Sequence, residues 1–193
     1  MPTLNPLLLL AERGQSVWLD YISRELVIGS ELTRLIAEDN VTGLTSNPTI
    51  FEKAIAGSSD YDRAIGELAL AQPEAGTKEL YEALAIDDIR AAADRLRPVY
   101  DRTHGTDGFV SLEVSPLLAH DSAGTAAEGR RLWAAVGRPN LLIKVPATPE
   151  GIPAIETRRE NLLSLRPRHG QGYPAVRPDG VFAQPRASST GAV

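Results

Sequence analysis

The sequence predicts an α/β fold built on a parallel sheet. Strand-like and helix-like segments alternate through the first 155 residues, the pattern of strands joined by helical crossovers. The 193 residues, 42% hydrophobic and 23% charged, suffice for a true core and are neither disordered nor fibrous in composition. No G-x-G-x-x-G follows the first strand segment and no G-x-x-x-x-G-K is present, which leaves nucleotide-binding versions of the fold with little support.

Taken in order, SVWLDY at 16–21 is strand-like, with β-branched and aromatic residues closed by an acid. SELTRLIAED at 30–39 opens on a Ser and an acid and places Leu32, Leu35 and Ile36 on one face, which predicts a helix. VTGLT at 41–45 predicts a second strand, broken by Ser46-Asn47-Pro48. Helices are expected over 49–56, 61–71 and 77–100, the last long and Ala-rich with Leu80, Leu84, Ile89 and Leu96. GFVSLEV at 108–114 alternates in period two, 125–136 is helical, LLIKV at 141–145 is a fourth strand closed by Pro146, and a further helix starts at Glu150.

The charge divides the chain. Residues 1–155 carry 14 Lys+Arg against 22 Asp+Glu, a net of −8, whereas 156–193 carry 6 Arg, no Lys and 3 acids. This last stretch, rich in Pro, Gly and Ser, has no sustained period. It suits a linker or disordered tail, or a reading frame altered near Ile155–Thr157, where the helix begun at Glu150 loses its pattern without a stop signal. The overall −5 argues against a nucleic-acid or anionic-membrane binder. No apolar run approaches the roughly 20 residues that span a bilayer. The apolar start lacks a basic region and a cleavage site, so a cytoplasmic protein is expected. Without cysteine, thiolate chemistry and disulfides are excluded.

Few residues are candidates for chemistry. Of three lysines, Lys53 and Lys78 fall in helices, while Lys144 interrupts an otherwise apolar strand. Burial disfavours an ammonium, and a neutral amine attacks ketones to form Schiff bases; the alternative is a strand-end lysine reaching solvent. Glu113 shares a strand face with Ser111 and Ser115, pointing either into a site or to solvent. Asp20 ends the first strand and Asn47 follows the second; singly, each reads as a turn or cap residue. Together, Asp20, Asn47, Glu113 and Lys144 stand at or near the C-terminal ends of successive strands, the rim where sites of β/α folds assemble. His104, His120 and His169 lack a second ligand at metal spacing, Asn40-Val41-Thr42 is a sequon without a secretory context, Asp87-Asp88 reads as a solvated helix face, and Trp18 and Trp133 as core.

The segments VWLDYISRELV, GLTSNPTIFEKAI, GFVSLEVSPLLAHD and NLLIKVPATPEGIPAIE closely resemble transaldolase, over about Asn5 to Glu156. The resemblance implies a metal- and cofactor-free (β/α)8 TIM barrel, here the first four β/α units over 1–156, with 157–193 an unmatched segment. It implies dihydroxyacetone transfer between sugar phosphates in the pentose phosphate pathway. The donor is a ketose phosphate, sedoheptulose 7-phosphate or fructose 6-phosphate, and the acceptor is glyceraldehyde 3-phosphate or erythrose 4-phosphate. Lys144 matches the Schiff-base lysine, Asp20 the acid/base at the C4 hydroxyl, Glu113 the carboxylate acting through a water, and Asn47 a hydrogen-bonding partner of the three-carbon unit. A complete barrel needs about 250 residues, and nothing in 157–193 matches the family's later strands or phosphate-binding arginines. Half a barrel would leave strand edges unpaired, so an inactive fragment is one expectation. A lysine aldolase without transfer is another, disfavoured by the long insertion over 49–100.

Overall fold

Four parallel strands form one sheet in the order of the chain: β1 (Val17–Asp20), β2 (Val41–Thr45), β3 (Phe109–Glu113) and β4 (Leu141–Lys144). The structure, a computed structural model, describes residues 5–156. The expectations for 157–193, His169 and the segment boundary at 156 among them, lie outside the described residues. A doubly wound sheet reverses its strand order at a switch point. The described strands show no reversal. Same-handed crossovers in sequential order put the helices on one face, the arrangement of four consecutive units of a β/α barrel.

The expected helices form, with shifted ends. They are α3 (Glu31–Glu38), α4 (Pro48–Ala56), α5 (Asp62–Ala71), α6 (Thr77–Arg102) and α7 (Ser122–Val136). The α7 helix starts three residues before the expected position because Asp121 caps it, accepting from the Gly124 amide, and it ends at Gly137, which adopts a left-handed φ of 61°. Residues 151–156 are helical. Two further helices are not foreshadowed by periodicity. In α1 (Pro6–Glu12) the Asn5 side chain accepts from Leu7 N and Pro6 takes the first turn; in α2 (Arg24–Ile28) Ser23 accepts from Leu26 N. At 7 and 5 residues, both are too short to show a 3.6-residue repeat.

Alternation along the strands separates two faces. Leu44, Val110, Leu112 and Leu141 join the main core with Leu26, Val27 and Leu32 of the first crossover, Ile89, Ala92, Ala93 and Leu96 of α6, and Leu132 and Val136 of α7. The alanines let α6 lie close to the sheet, and each fully buried large side chain contributes about 1.5–3 kcal/mol of transfer free energy. The opposite face carries Trp18, Asp20, Gly43, Thr45, Ser111, Glu113 and Lys144, in the registers Trp18↔Gly43, Asp20↔Thr45 and Glu113↔Lys144. Gly43 is required there: a Cβ would sit 2.2 Å from Cε2 of the Trp18 indole. Trp133 packs against the core as expected, while Trp18 covers Gly43 on the opposite face.

Asp87 and Asp88 do not share a solvated face. Asp87 is exposed and pairs with Arg90, but Asp88 is 2% exposed. Its Oδ2 accepts from the Tyr61 hydroxyl at 2.7 Å and its Oδ1 from Arg24 Nε at 2.9 Å. The Tyr61 hydroxyl in turn accepts from the Arg24 amide at 2.9 Å, and the guanidinium lies 4.7 Å from the Tyr61 ring centre. Burial, then the neighbouring Asp88, push the Tyr61 hydroxyl well above the ordinary phenol range, so it remains a donor. A hydrophilic dipeptide on a helix thus splits, one acid outward and one inward, because residues one apart lie about 100° apart around the helix. The buried acid ties α2, which follows directly on β1, to α6.

Candidate active site

Lys144 is the last residue of β4, and its flanking Leu141 and Ile143 face the core. Strand alternation therefore sends the lysine to the polar side, into surroundings unlike the apolar ones its neighbours suggest. Its Nζ lies 3.3 Å from Glu113 Oε2, its register partner, and donates to the Ser46 carbonyl at 3.0 Å and to Thr45 Oγ1 at 3.4 Å. Both partners of the ion pair are under one-quarter exposed, 22% for Lys144 and 23% for Glu113, so the amine is desolvated on one side and open on the other.

The β2 end forms the floor of this nest. Ser46, fully buried, donates from Oγ to the Ser111 carbonyl at 2.8 Å, fixing the turn that presents its own carbonyl to Lys144. Ser111 Oγ donates to Thr45 Oγ1 at 2.9 Å. Thr45 and Ser46 carried no signal beyond their place in TSNP: their part depends on cross-strand register, which the sequence does not display.

Asn47 caps α4, its Oδ1 accepting from the Ile50 amide at 2.9 Å. The cap reading is therefore correct for one side-chain atom, while the Nδ2 group has no partner among the described residues. Asp20 ends β1, exposed, beside Thr45 in the register. Thus all four candidates stand on the C-terminal rim; Lys144 and Glu113 meet directly, and Asp20 and Asn47 border them through Thr45 and Ser46 without touching the amine. Behind Glu113, on the helix side, Tyr81, Pro48, Ile86, Leu112, Pro116 and Leu132 border a largely apolar pocket of 260 Å³. Burial, then Glu52 and Glu113, push the Tyr81 hydroxyl up to about 12, so it stays protonated beside the carboxylate.

Among the described residues no cluster of three or more His, Cys, Asp or Glu is placed to hold a metal, and His120 faces Glu150 at 3.2 Å. No helix among them is long and apolar enough to cross a membrane.

Lys144 and Glu113 thus meet at the strand ends of successive β/α units, on the rim where the sites of β/α enzymes assemble. The sequence comparisons give the family. Residues 17–161 match the family described as transaldolase/fructose-6-phosphate aldolase. The chain is 54% identical over 144 residues to a transaldolase of Thiobacillus denitrificans and 52% identical over 151 residues to one of Thermobifida fusca. A transaldolase of Parafrankia sp. is 50% identical over 151 residues. These matches take in 75%, 78% and 78% of this chain and 40% of each relative, so the chain spans about two-fifths of the length of the curated relatives it matches. The chain belongs to the transaldolase/fructose-6-phosphate aldolase family.

Proposed function

We propose that this site carries out Schiff-base transaldolase chemistry, moving a dihydroxyacetone unit from a ketose phosphate to an aldose phosphate. The observation that carries the reading is Lys144 Nζ, held at the open rim by Glu113 at 3.3 Å and the Ser46 carbonyl at 3.0 Å. As the free amine, Nζ adds to the ketose C2 carbonyl; the oxygen leaves as water, and an iminium remains. Glu113, beside Nζ, moves protons through a water during addition and dehydration. Asp20 takes the C4 hydroxyl proton, the C3–C4 pair flows into the iminium, and an aldose phosphate departs. The enamine left on Lys144 then attacks the acceptor aldehyde, and the steps reverse. The free Nδ2 group of Asn47 donates to a hydroxyl of the bound three-carbon unit. Sugar phosphates of the pentose phosphate pathway are the proposed substrates and the cytoplasm the proposed setting.

The test is exchange. Fructose 6-phosphate with erythrose 4-phosphate is expected to yield sedoheptulose 7-phosphate and glyceraldehyde 3-phosphate, and fructose 6-phosphate alone to yield little free dihydroxyacetone. Free dihydroxyacetone without need of an acceptor would instead mark an aldolase, and no turnover of either mixture would defeat the proposal.

A further inference from the structure

We propose that the Thr45 hydroxyl donates a hydrogen bond into the open rim, to the oxygen on the carbonyl carbon that Lys144 attacks, and that buried Ser111 is the positioning residue that aims it. The proposal deepens the Schiff-base reading and rests on it.

Ser111 is 1% exposed, and its hydroxyl has a single partner among the described residues, Thr45 Oγ1 at 2.9 Å. A buried hydroxyl without an acceptor is costly, so the shared proton belongs to Ser111 and points at Thr45. The threonine oxygen has two lone pairs. One takes the Ser111 proton, and the other faces Lys144 Nζ at 3.4 Å, which offers Thr45 no acceptor either as an ammonium or, in the attacking amine, once its lone pair is directed at the carbonyl carbon. With both lone pairs committed, the threonine's own proton turns away from Ser111 and Lys144. No acceptor for it exists among the described residues, and Thr45 is only half-buried, so the proton is presented to the rim.

That direction is chemically useful. When the Nζ lone pair forms the C–N bond, the carbonyl π pair moves to oxygen, which gains negative charge. The oxygen is bonded to the same carbon as Nζ and so stays closer to Nζ than a hydrogen bond is long. With Oγ1 3.4 Å from Nζ, an oxygen that lies on the Thr45 side of Nζ is within donor reach of the hydroxyl. A preset donor at a developing oxyanion stabilises the transition state more than the ground state. Thr45 gives up no proton; the oxygen is protonated by the Glu113 water and leaves as water. The register also places Thr45 beside Asp20, so it stands between the amine and the proposed acid/base.

The test measures the rate of borohydride trapping at saturating fructose 6-phosphate, by intact mass, in the full chain. Thr45→Val, which keeps the shape and removes the donor, is expected to slow trapping by about tenfold, one hydrogen bond's worth. Thr45→Ser restores at least half of the wild-type rate. Ser111→Ala slows wild-type trapping severalfold and adds nothing in the Thr45→Val background, because its only route is through Thr45; a purely structural role would add in both. Equal rates for Thr45→Val and wild type would overturn the proposal while leaving Lys144 as nucleophile. A folded wild-type chain that traps no sugar would overturn the Schiff-base reading and this inference with it.

Discussion

Replacing Asp88 by Ala is expected to destabilise the chain by about 3 kcal/mol. The substitution removes both carboxylate oxygens from a site that is 2% exposed, leaving Arg24 without its counter-charge at 2.9 Å and Tyr61 without the acceptor of its proton. Breaking a buried ion pair from one side costs roughly 3–5 kcal/mol. The lower end applies because the Arg24 side chain is 14% exposed and keeps its place over the Tyr61 ring. Against a domain stability of about 5–15 kcal/mol, such a loss is large. Urea unfolding followed by far-UV circular dichroism measures it as a shift in midpoint at unchanged slope. The double substitution Arg24→Met with Asp88→Leu is expected to recover part of the loss, since neither buried charge is then orphaned while the Tyr61 hydroxyl still lacks its acceptor. A loss below about 1 kcal/mol for Asp88→Ala, in the range of a surface pair, would show that the triad does not hold α2 to α6 and would refute the reasoning.

Gly43→Ala drives a Cβ to 2.2 Å from the Trp18 indole and is expected to cost about 1–3 kcal/mol, with a shift in tryptophan emission. Asn47 serves two roles that substitution separates. Asn47→Ala removes the α4 cap and about 1 kcal/mol of stability, whereas Asn47→Asp keeps the cap oxygen and stability but loses the Nδ2 donor and, on the proposed mechanism, most of the turnover. The Arg131 guanidinium, hydrogen-bonded to Glu82 at 2.5 and 2.7 Å, holds the Glu82 carboxyl below its ordinary value. This stability is present above the ordinary carboxylate range and is lost as pH falls through the depressed value. With Arg131 half-exposed, Glu82→Gln is expected to cost about 0.5–1 kcal/mol at pH 7, and the cost shrinks as the pH falls through the depressed value, read by thermal unfolding across an acid pH series.

The strands and long helices are legible in the sequence because a period-two pattern registers within a few residues and a period-3.6 pattern over two or more turns, and each strand formed within two residues of its expected ends. The short helices α1 and α2 carry no periodic signal, and their caps at Asn5 and Ser23 emerge only in the structure. Asp20, Asn47, Glu113 and Lys144 stood out because strand ends of β/α folds form one rim. The contact between Lys144 and Glu113 was not legible, nor was the nest of Thr45, Ser46 and Ser111, because register between strands 30 to 100 residues apart is set by packing rather than by local pattern. The same reason hid Asp88: its neighbour Asp87 is equally polar, and only the partners Arg24 and Tyr61, remote in sequence, make one of the two an interior residue.

Covalent trapping of the sugar decides whether Lys144 is the nucleophile. The chain, incubated with fructose 6-phosphate and borohydride and then digested, is expected to carry a reduced secondary-amine adduct on the peptide containing Lys144, and Lys144→Ala is expected to carry none. With only Lys53 and Lys78 as other lysines, the assignment is unambiguous. An adduct that persists in Lys144→Ala, or a folded wild-type chain that acquires none, would contradict the account.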